Sequence, residues 1–375
     1  MPTLNPPALI YDIALNLVPG VGCHLSKQLV SYCGSAELVF TTKKGKLLQI
    51  PGVGDGLANA LIGNTVFQEA QNQFALCEKN KVKILPYTHP DYPRRLKNVY
   101  DSPSLLYYKG NGDLNKDKVL GIVGTRNATS YGKSFVEELV AELAQRHPNM
   151  LVVSGLAYGI DIYAHKASIS NQLATVGVMA NGIDKIYPAV HRDIAYKMCE
   201  MGGMLTEYTF GAKADAHNFP ARNRIVAGMC DAIVVVEAAA KGGALITAEI
   251  ANTYNTEVFA VPGNVGSKFS EGCNILIREH KANIYTDLAA LEKVMNWDEA
   301  MGTAPRQTPK VVDLTIFSGE QLTIMQGLQD LGEMQMDELS WKINVPINRL
   351  ASQLLSLEFE GHVKALPGKR FKTLH

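Results

Sequence analysis

VLGIVGTRNATSYG, Val119 to Gly132, is the stretch whose reading decides the fold. Val119–Val123 is a short apolar run with β-branched residues, bounded by Gly124, the pattern of a buried strand. Thr125 to Ser130 are mostly small and polar, and Tyr131–His147 then sets Phe135, Val136, Leu139, Val140 and Leu143 at helical spacing. Strand, glycine turn and helix start make the first βα unit of a nucleotide- or phosphate-binding sheet, because N–H groups at the turn and at the helix N-terminus point at an anion. Thr125 and Arg126 follow Gly124 in that turn, where a guanidinium can clamp a phosphate by two parallel hydrogen bonds. A single turn glycine in place of G-x-G-x-x-G is not the dinucleotide fingerprint, so no NAD site and no cofactor is expected.

Downstream the pattern alternates. Candidate strands are Leu151–Ser154, Thr175–Met179, Met204–Glu207, Ala232–Glu237, Val258–Val261 and Ile284–Tyr285. Candidate helices between them are Ile160–Ser170, His191–Met201, Asn223–Met229, Ala244–Tyr254 and Asn274–His280. Nearly uniformly apolar strands that alternate with helices predict a largely parallel α/β sheet covered on both faces. Ligands of such sheets bind beyond the carboxyl ends of the strands, at a switch point in strand order.

The informative residues fall there. Ser154 and Gly155 follow the second strand, with Tyr158, Gly159, Asp161 and His165 close behind. Phe219, Arg222, Asn223 and Arg224 open the helix before Ala232–Glu237, and Lys241, Gly242 and Gly243 come after that strand. Arg126, Arg222 and Arg224 are the expected phosphate-facing charges, with Phe219 as the ring on which a base stacks. A second reading stays open for five of these residues, among them Phe219, which can belong to the core. Asp161 and His165 can pair locally, and Arg222 or Arg224 can pair with Glu207 or Glu237 to hold the fold.

Before the sheet, LVPGVG (Leu17–Gly22) and IPGVG (Ile50–Gly54) form an internal repeat, each followed by a helical pattern, His24–Tyr32 and Leu57–Ala70. This is the helix-hairpin-helix signature, whose glycines expose backbone N–H groups to a DNA phosphate; the alternative is a pair of hairpins that only pack a helical domain. Glu78–Ser102 is rich in proline and basic residues and reads as a crossing between domains, with a strand at Val82–Leu85 and a short helix after Asp91–Pro93.

With 375 residues the chain exceeds one compact core, so several domains are expected. The boundaries read as a helical domain at 1–80, an extended Rossmann-like domain at 81–294, a linker at 295–316 and a winged helix at 317–375. Formal net charge is zero, so a polyanion site has to be a local patch. Thr286–Glu338 carries three basic and ten acidic residues, whereas Lys342–His375 carries six basic and two acidic. In the tail, Glu320–Leu331, Met336–Ile343 and Ile347–Glu360 are helical, the last two at helix-turn-helix spacing, and His362–Phe371 forms a wing that turns at Pro367-Gly368. The presumed recognition helix offers Asn348, Arg349, Ser352 and Gln353 and then turns acidic, which favours a protein partner over DNA outside the wing. Six scattered cysteines without a C-x-x-C pair imply free thiols in a reducing cytoplasm. The most apolar stretch, Ala232–Val236, is far too short for a membrane span. The histidines show no ligand spacing with carboxylates or cysteines, so no metal site is expected.

The ordered set Gly121–Arg126, Val153–Ala157, Gly159-Ile160-Asp161, His165, Gly182-Ile183-Asp184, Tyr187-Pro188, Glu207, Phe219-Pro220, Arg222-Asn223-Arg224, Val236-Glu237-Ala238, Leu245–Ala248 and Val261-Pro262-Gly263 resembles DNA-processing protein A, the DprA/Smf family. The resemblance covers about Val82 to Thr286. It implies a non-enzymatic, cytoplasmic homodimer that binds single-stranded DNA, protects incoming strands in natural transformation and loads the RecA recombinase. By the same resemblance Arg126 holds backbone phosphate, Ser154 and Gly155 line the nucleotide pocket, and Phe219 stacks beside Arg222 and Arg224. Four positions depart from the family pattern. Tyr158 replaces an arginine, Gly243 and Ala244 replace hydroxyl-bearing residues, and Thr125 replaces a serine. The competing reading is a nucleoside-monophosphate phosphoribohydrolase-like enzyme. Gly242–Glu249 only echoes the motif of that group and lacks a proline and a glycine that bring backbone to phosphate.

Overall fold

The computed structural model describes residues 8–63, 65–297, 314–366 and 368–374. Two compact units emerge, Met1–Asp298 and Glu299–His375.

The first unit opens with helices, among them Ala8–Leu17, Cys23–Cys33, Asp55–Ile62 and Phe67–Lys79. The repeat is real in three dimensions. Gly20 and Gly52 take φ of +87° and +84°, and Gly22 and Gly54 then stand in extended conformation just before a helix. The helix expected over Leu57–Ala70 is two, because Gly63 closes the first. Ile13, Leu29, Val39, Leu47 and Leu61 are buried together with Ile84, Leu105, Tyr107, Met179 and Met204 of the sheet, so helices and sheet share one core.

The sheet has nine strands: β1 Lys83–Pro86, β2 Leu105–Gly110, β3 Val119–Gly124, β4 Leu151–Ser154, β5 Ala174–Val178, β6 Gly203–Thr206, β7 Ala232–Val236, β8 Glu257–Ala260 and β9 Asn283–Ile284. Their order is β1-β2-β6-β5-β4-β3-β7-β8-β9, parallel from β6 to β9 and antiparallel at β1-β2 and β2-β6. Alternate residues of β3 face opposite layers, as period-two geometry requires. Leu120 and Ile122 meet Val136, Leu139, Val140 and Leu143 of the helix Ser130–Arg146, whereas Val119 and Val123 meet Ile225, Val226 and Met229 of the helix Asn218–Met229.

β2 (LLYYKG) has no counterpart among the expected strands, whereas Glu78–Ser102 carries its expected strand, as β1, and its expected short helix, Arg94–Lys97, and is packed into the unit. Tyr92 and Leu96 are fully buried, and Arg95 Nη2 donates to Asp231 Oδ2 at 2.8 Å, pinning the segment beneath β7. The helix expected from Asn223 starts five residues earlier, at Asn218, which places Phe219 and Arg222 on helical backbone. A further helix, Leu288–Met295, is capped by Asp287, whose Oδ1 accepts from the Ala290 N–H at 2.8 Å. The expected linker therefore starts on helical backbone at Met295 and ends in a single 3-10 turn at Leu314–Ile316, with 298–313 outside the described residues.

The second unit is a winged helix: Gly319–Leu331, Met336–Lys342 and Ile347–Phe359 pack with the strands Met334–Gln335, Val363–Leu366 and Arg370–Thr373 around Ile324, Leu328, Leu339, Leu350, Leu354 and Val363. Of the expected wing turn, Gly368 has φ +82° and Pro367 lies outside the described residues.

Candidate nucleic-acid interface

Strand order reverses between β3 and β7, so the switch-point crevice is bounded by the turn after β3 and the residues after β7. The turn is held rigidly from both sides. Thr125 N–H donates to the Glu237 carbonyl at 2.7 Å, and the Thr125 carbonyl accepts from Ile160 N–H at 3.1 Å. Only glycine fits at 159: its φ is +74°, and a Cβ there would stand 2.1 Å from the Thr125 oxygen. Gly124 itself packs against β7.

On the outer side of that turn Arg126 is exposed, and its guanidinium lies over the Phe219 ring with Cζ 5.4 Å from the centroid. Among the described residues no carboxylate stands within ion-pair distance of it. Phe219 in turn meets Tyr187, with centroids 5.8 Å apart, and the exposed Tyr158 stacks edge-on against His191 at 5.1 Å. Arg126, Gly155, Ala157, Tyr158, Met179, Ala180, Asn181, Tyr187, Pro188, Phe219 and Arg222 line one pocket. It sits over the carboxyl ends of β4 and β5, displaced from the switch point where the sequence reading put it.

The remaining expected contacts divide by how their donors are engaged. Arg222 is only 4% exposed; its guanidinium donates to the carbonyls of Gly155 and Val178, and its Nε donates to Asn223 Oδ1 at 3.2 Å. Burial pulls its pKa down and pushes the Asp161 carboxyl up, and the two groups offset one another at the pocket floor. A Cβ on Gly155 would lie 2.6 Å from Asp161 Oδ2 and 2.7 Å from the Arg222 guanidinium carbon, so Gly155 roofs that pair. Arg222 thus holds two strand ends together instead of reaching outward.

Arg224 is likewise engaged, with Nη1 donating to the Asp101 carbonyl at 2.8 Å and Nη2 paired with Glu207. Ser154 is fully buried, its hydroxyl donating to the Ile122 carbonyl at 2.6 Å, so it ties β4 to β3 and does not face the pocket. Asn223 Nδ2 donates to the Gly243 carbonyl at 3.3 Å and fixes the start of the helix Gly243–Thr253. Lys241 and Gly243 are exposed but do not line the pocket. His165, with Nδ1 2.7 Å from Thr175 Oγ1, is driven to a pKa of about 3 by burial and stays neutral. Glu249 of the phosphoribohydrolase-like echo is paired with Lys281 at 2.7 Å, outside the pocket.

Sequence reasoning missed Tyr187 and Asn181 as pocket residues. Both belong to the loop after β5, so the rule that ligands gather at strand carboxyl ends could have found them.

The hairpins offer less. In the first, Cys23 and Lys27 at the helix start are engaged by Asp101 and Ser102. In the second, Asp55 opens the helix and pairs with Lys44 at 2.8 Å. The recognition helix of the winged unit has Arg349 paired with Glu320 at 3.1 Å and exposes Ile347, Leu355 and Phe359.

The sequence model of a family described as DNA recombination-mediator protein A matches residues 83–296, and one described as DprA winged helix domain matches 305–369. The chain belongs to the DprA/Smf family. Protein Smf of Synechocystis sp. is 30% identical, over 96% of this chain and 98% of that one. The solved structure of DNA processing protein A from Streptococcus pneumoniae superposes with a TM-score of 0.63 at 30% identity, covering 77% of this chain and 98% of that one. DNA processing protein A from Helicobacter pylori, whose structure is described for a single-stranded DNA binding mode, gives a TM-score of 0.52 at 26% identity, covering 58% and 97%. DprA membership thus extends from the sheet into the winged helix. Among the described residues no helix is long and apolar enough to cross a membrane.

Proposed function

We propose that this chain binds single-stranded DNA along the outer rim of its sheet and, as a cytoplasmic homodimer, protects incoming strands and delivers them to the RecA recombinase. The observation that carries this reading is the exposed Arg126 guanidinium stacked on Phe219, with Tyr187 and Tyr158 beside it. A free cation flanked by aromatic rings suits an unpaired strand, because phosphate takes the charge while any base offers a face to stack. Duplex DNA keeps its bases stacked inside and gains nothing from the rings. The Helicobacter pylori relative supports the same reading. Arg126, Tyr158 and Phe219 make the direct contacts, Thr125 and Gly124 set the turn, and Arg222, Asn223, Arg224, Ser154 and Gly155 position them. Lys241, exposed beyond β7, is a second candidate cation.

Titration of single- and double-stranded oligonucleotides over a range of salt tests this. Single strands should bind more tightly, with little sequence preference, and Arg126→Ala should flatten the log–log salt slope by about 0.7, the contribution of one phosphate contact on a single strand. Equal affinity for duplex, or an unchanged slope in the variant, would remove the rim from the account. Nucleoside monophosphate hydrolysis measured on the same preparation tests the enzyme reading, which predicts turnover.

A further inference from the structure

The crevice at the switch point is where sheets of this kind seat a nucleotide phosphate, against the N-terminus of the helix that follows the first strand. Here that helix is Ser130–Arg146, and its N-cap residue, Thr129, already donates to a carboxylate of the chain. Glu237, at the carboxyl end of β7, has φ +55° and is 7% exposed. Its carboxylate turns under the β3 turn. Thr129 N–H donates to Glu237 Oε2 at 2.9 Å, and the Thr129 hydroxyl donates to Oε1. The same hydroxyl accepts from Gly132 N–H at 3.4 Å, completing the cap. A Cβ on Gly132 would come within 2.3 Å of Oε2, so the backbone has closed around the carboxylate as it would around a phosphate oxygen. The pocket of Arg126 and Phe219 does not include Glu237.

We propose that Glu237 is a resident anion in the nucleotide-phosphate seat, and thereby the residue that denies the crevice to mononucleotides and leaves phosphate recognition to the outer rim. The second half of this statement rests on the single-strand reading above; the first half does not. Like charge and the engaged Thr129 N–H and hydroxyl both act against a phosphate entering beside the carboxylate.

The test is chemical rescue on the full chain. Wild type, Glu237→Gln and Glu237→Ala are melted in inorganic phosphate and in chloride of equal ionic strength. Wild type should melt alike in both. Glu237→Gln keeps an acceptor for Thr129 N–H and fills the seat, so it should lose little and show no preference for phosphate. Glu237→Ala should lose about 3 °C in chloride, the scale of two lost hydrogen bonds to a carboxylate, and regain at least half of it in phosphate. Equal melting of the alanine variant in both salts, or stabilisation of wild type by phosphate that persists when Arg126→Ala removes the rim cation, would overturn the proposal. If the alanine variant does not fold, wild type still decides: a saturable shift of its Thr129 amide resonance on adding inorganic phosphate would overturn the proposal, and an unmoved resonance supports it. Failure of rescue leaves the rim reading intact, whereas failure of the Arg126 titration leaves the seat assignment intact.

Discussion

The rim of the large sheet and the recognition helix of the winged unit are both surfaces on which other proteins hold nucleic acid, and they differ in what their arginines are doing. Arg126 stands on a turn locked by Thr125, Gly159 and Glu237, with an aromatic ring beneath it and no carboxylate within ion-pair distance among the described residues. Arg349 is paired with Glu320, on a helix that exposes Ile347, Leu355 and Phe359 and ends at Glu360. Shape alone does not choose between them. A cation already neutralised by a neighbour releases fewer counterions on meeting a phosphate, and its partner carboxylate repels the strand. Among the described residues of the winged unit the basic side chains gather on the wing, where Lys364 and Lys372 face each other across the strands.

The largest effect expected from this contrast is on folding. Arg222→Met leaves the Gly155 and Val178 carbonyls without a donor and Asp161 without its cation, so urea unfolding should show a loss of about 3–5 kcal/mol, the range for one partner removed from a buried charged cluster. A loss near zero would mean that Arg222 is free for ligand after all. Next comes the pair of arginines. Arg126→Ala should weaken single-strand binding by about 10- to 100-fold, in line with a charge-assisted contact of 1.5–3 kcal/mol, whereas Arg349→Ala should change it by less than about twofold. Similar losses in both would erase the distinction between the two surfaces.

The smallest effect separates the units by pH. Burial raises the Asp12 carboxyl to about 7, so folded Met1–Asp298 holds a proton that the unfolded chain releases from about pH 4 upward. That contribution is fully present at low pH and is lost as pH rises through about 7. Asp12→Asn should therefore raise the melting temperature of the first unit by a few degrees at pH 8 and by little at pH 5, with no change in the transition of Glu299–His375. A gain equal at both pH values would assign the effect to something other than the proton.

Most of the architecture was legible in the sequence because hydrophobic periodicity is a local property. β3, β4 and the helix Ile160–Ser170 fall at the residues expected, and the other parallel strands lie within a residue of theirs. β2 escaped because no helical pattern follows its run of leucines and tyrosines to announce a βα unit, and its antiparallel place is set by pairing with β6. Arg126 and Phe219 could be singled out from their turn and their neighbours in the chain. The different fates of Arg222 and Arg224 could not.

What the sequence determined by itself is the alternation of apolar strands and amphipathic helices, the paired glycine hairpins and the three-helix tail, since each depends on side chains a few residues apart. What only the tertiary structure decided is which charges remain available. Arg224 is engaged by a carbonyl 123 residues away, and the helix cap at Thr129 is filled by a carboxylate 108 residues away. The free energy of a charge depends on what surrounds it in space, and burial or a distant partner can cancel what its neighbours in the chain promise.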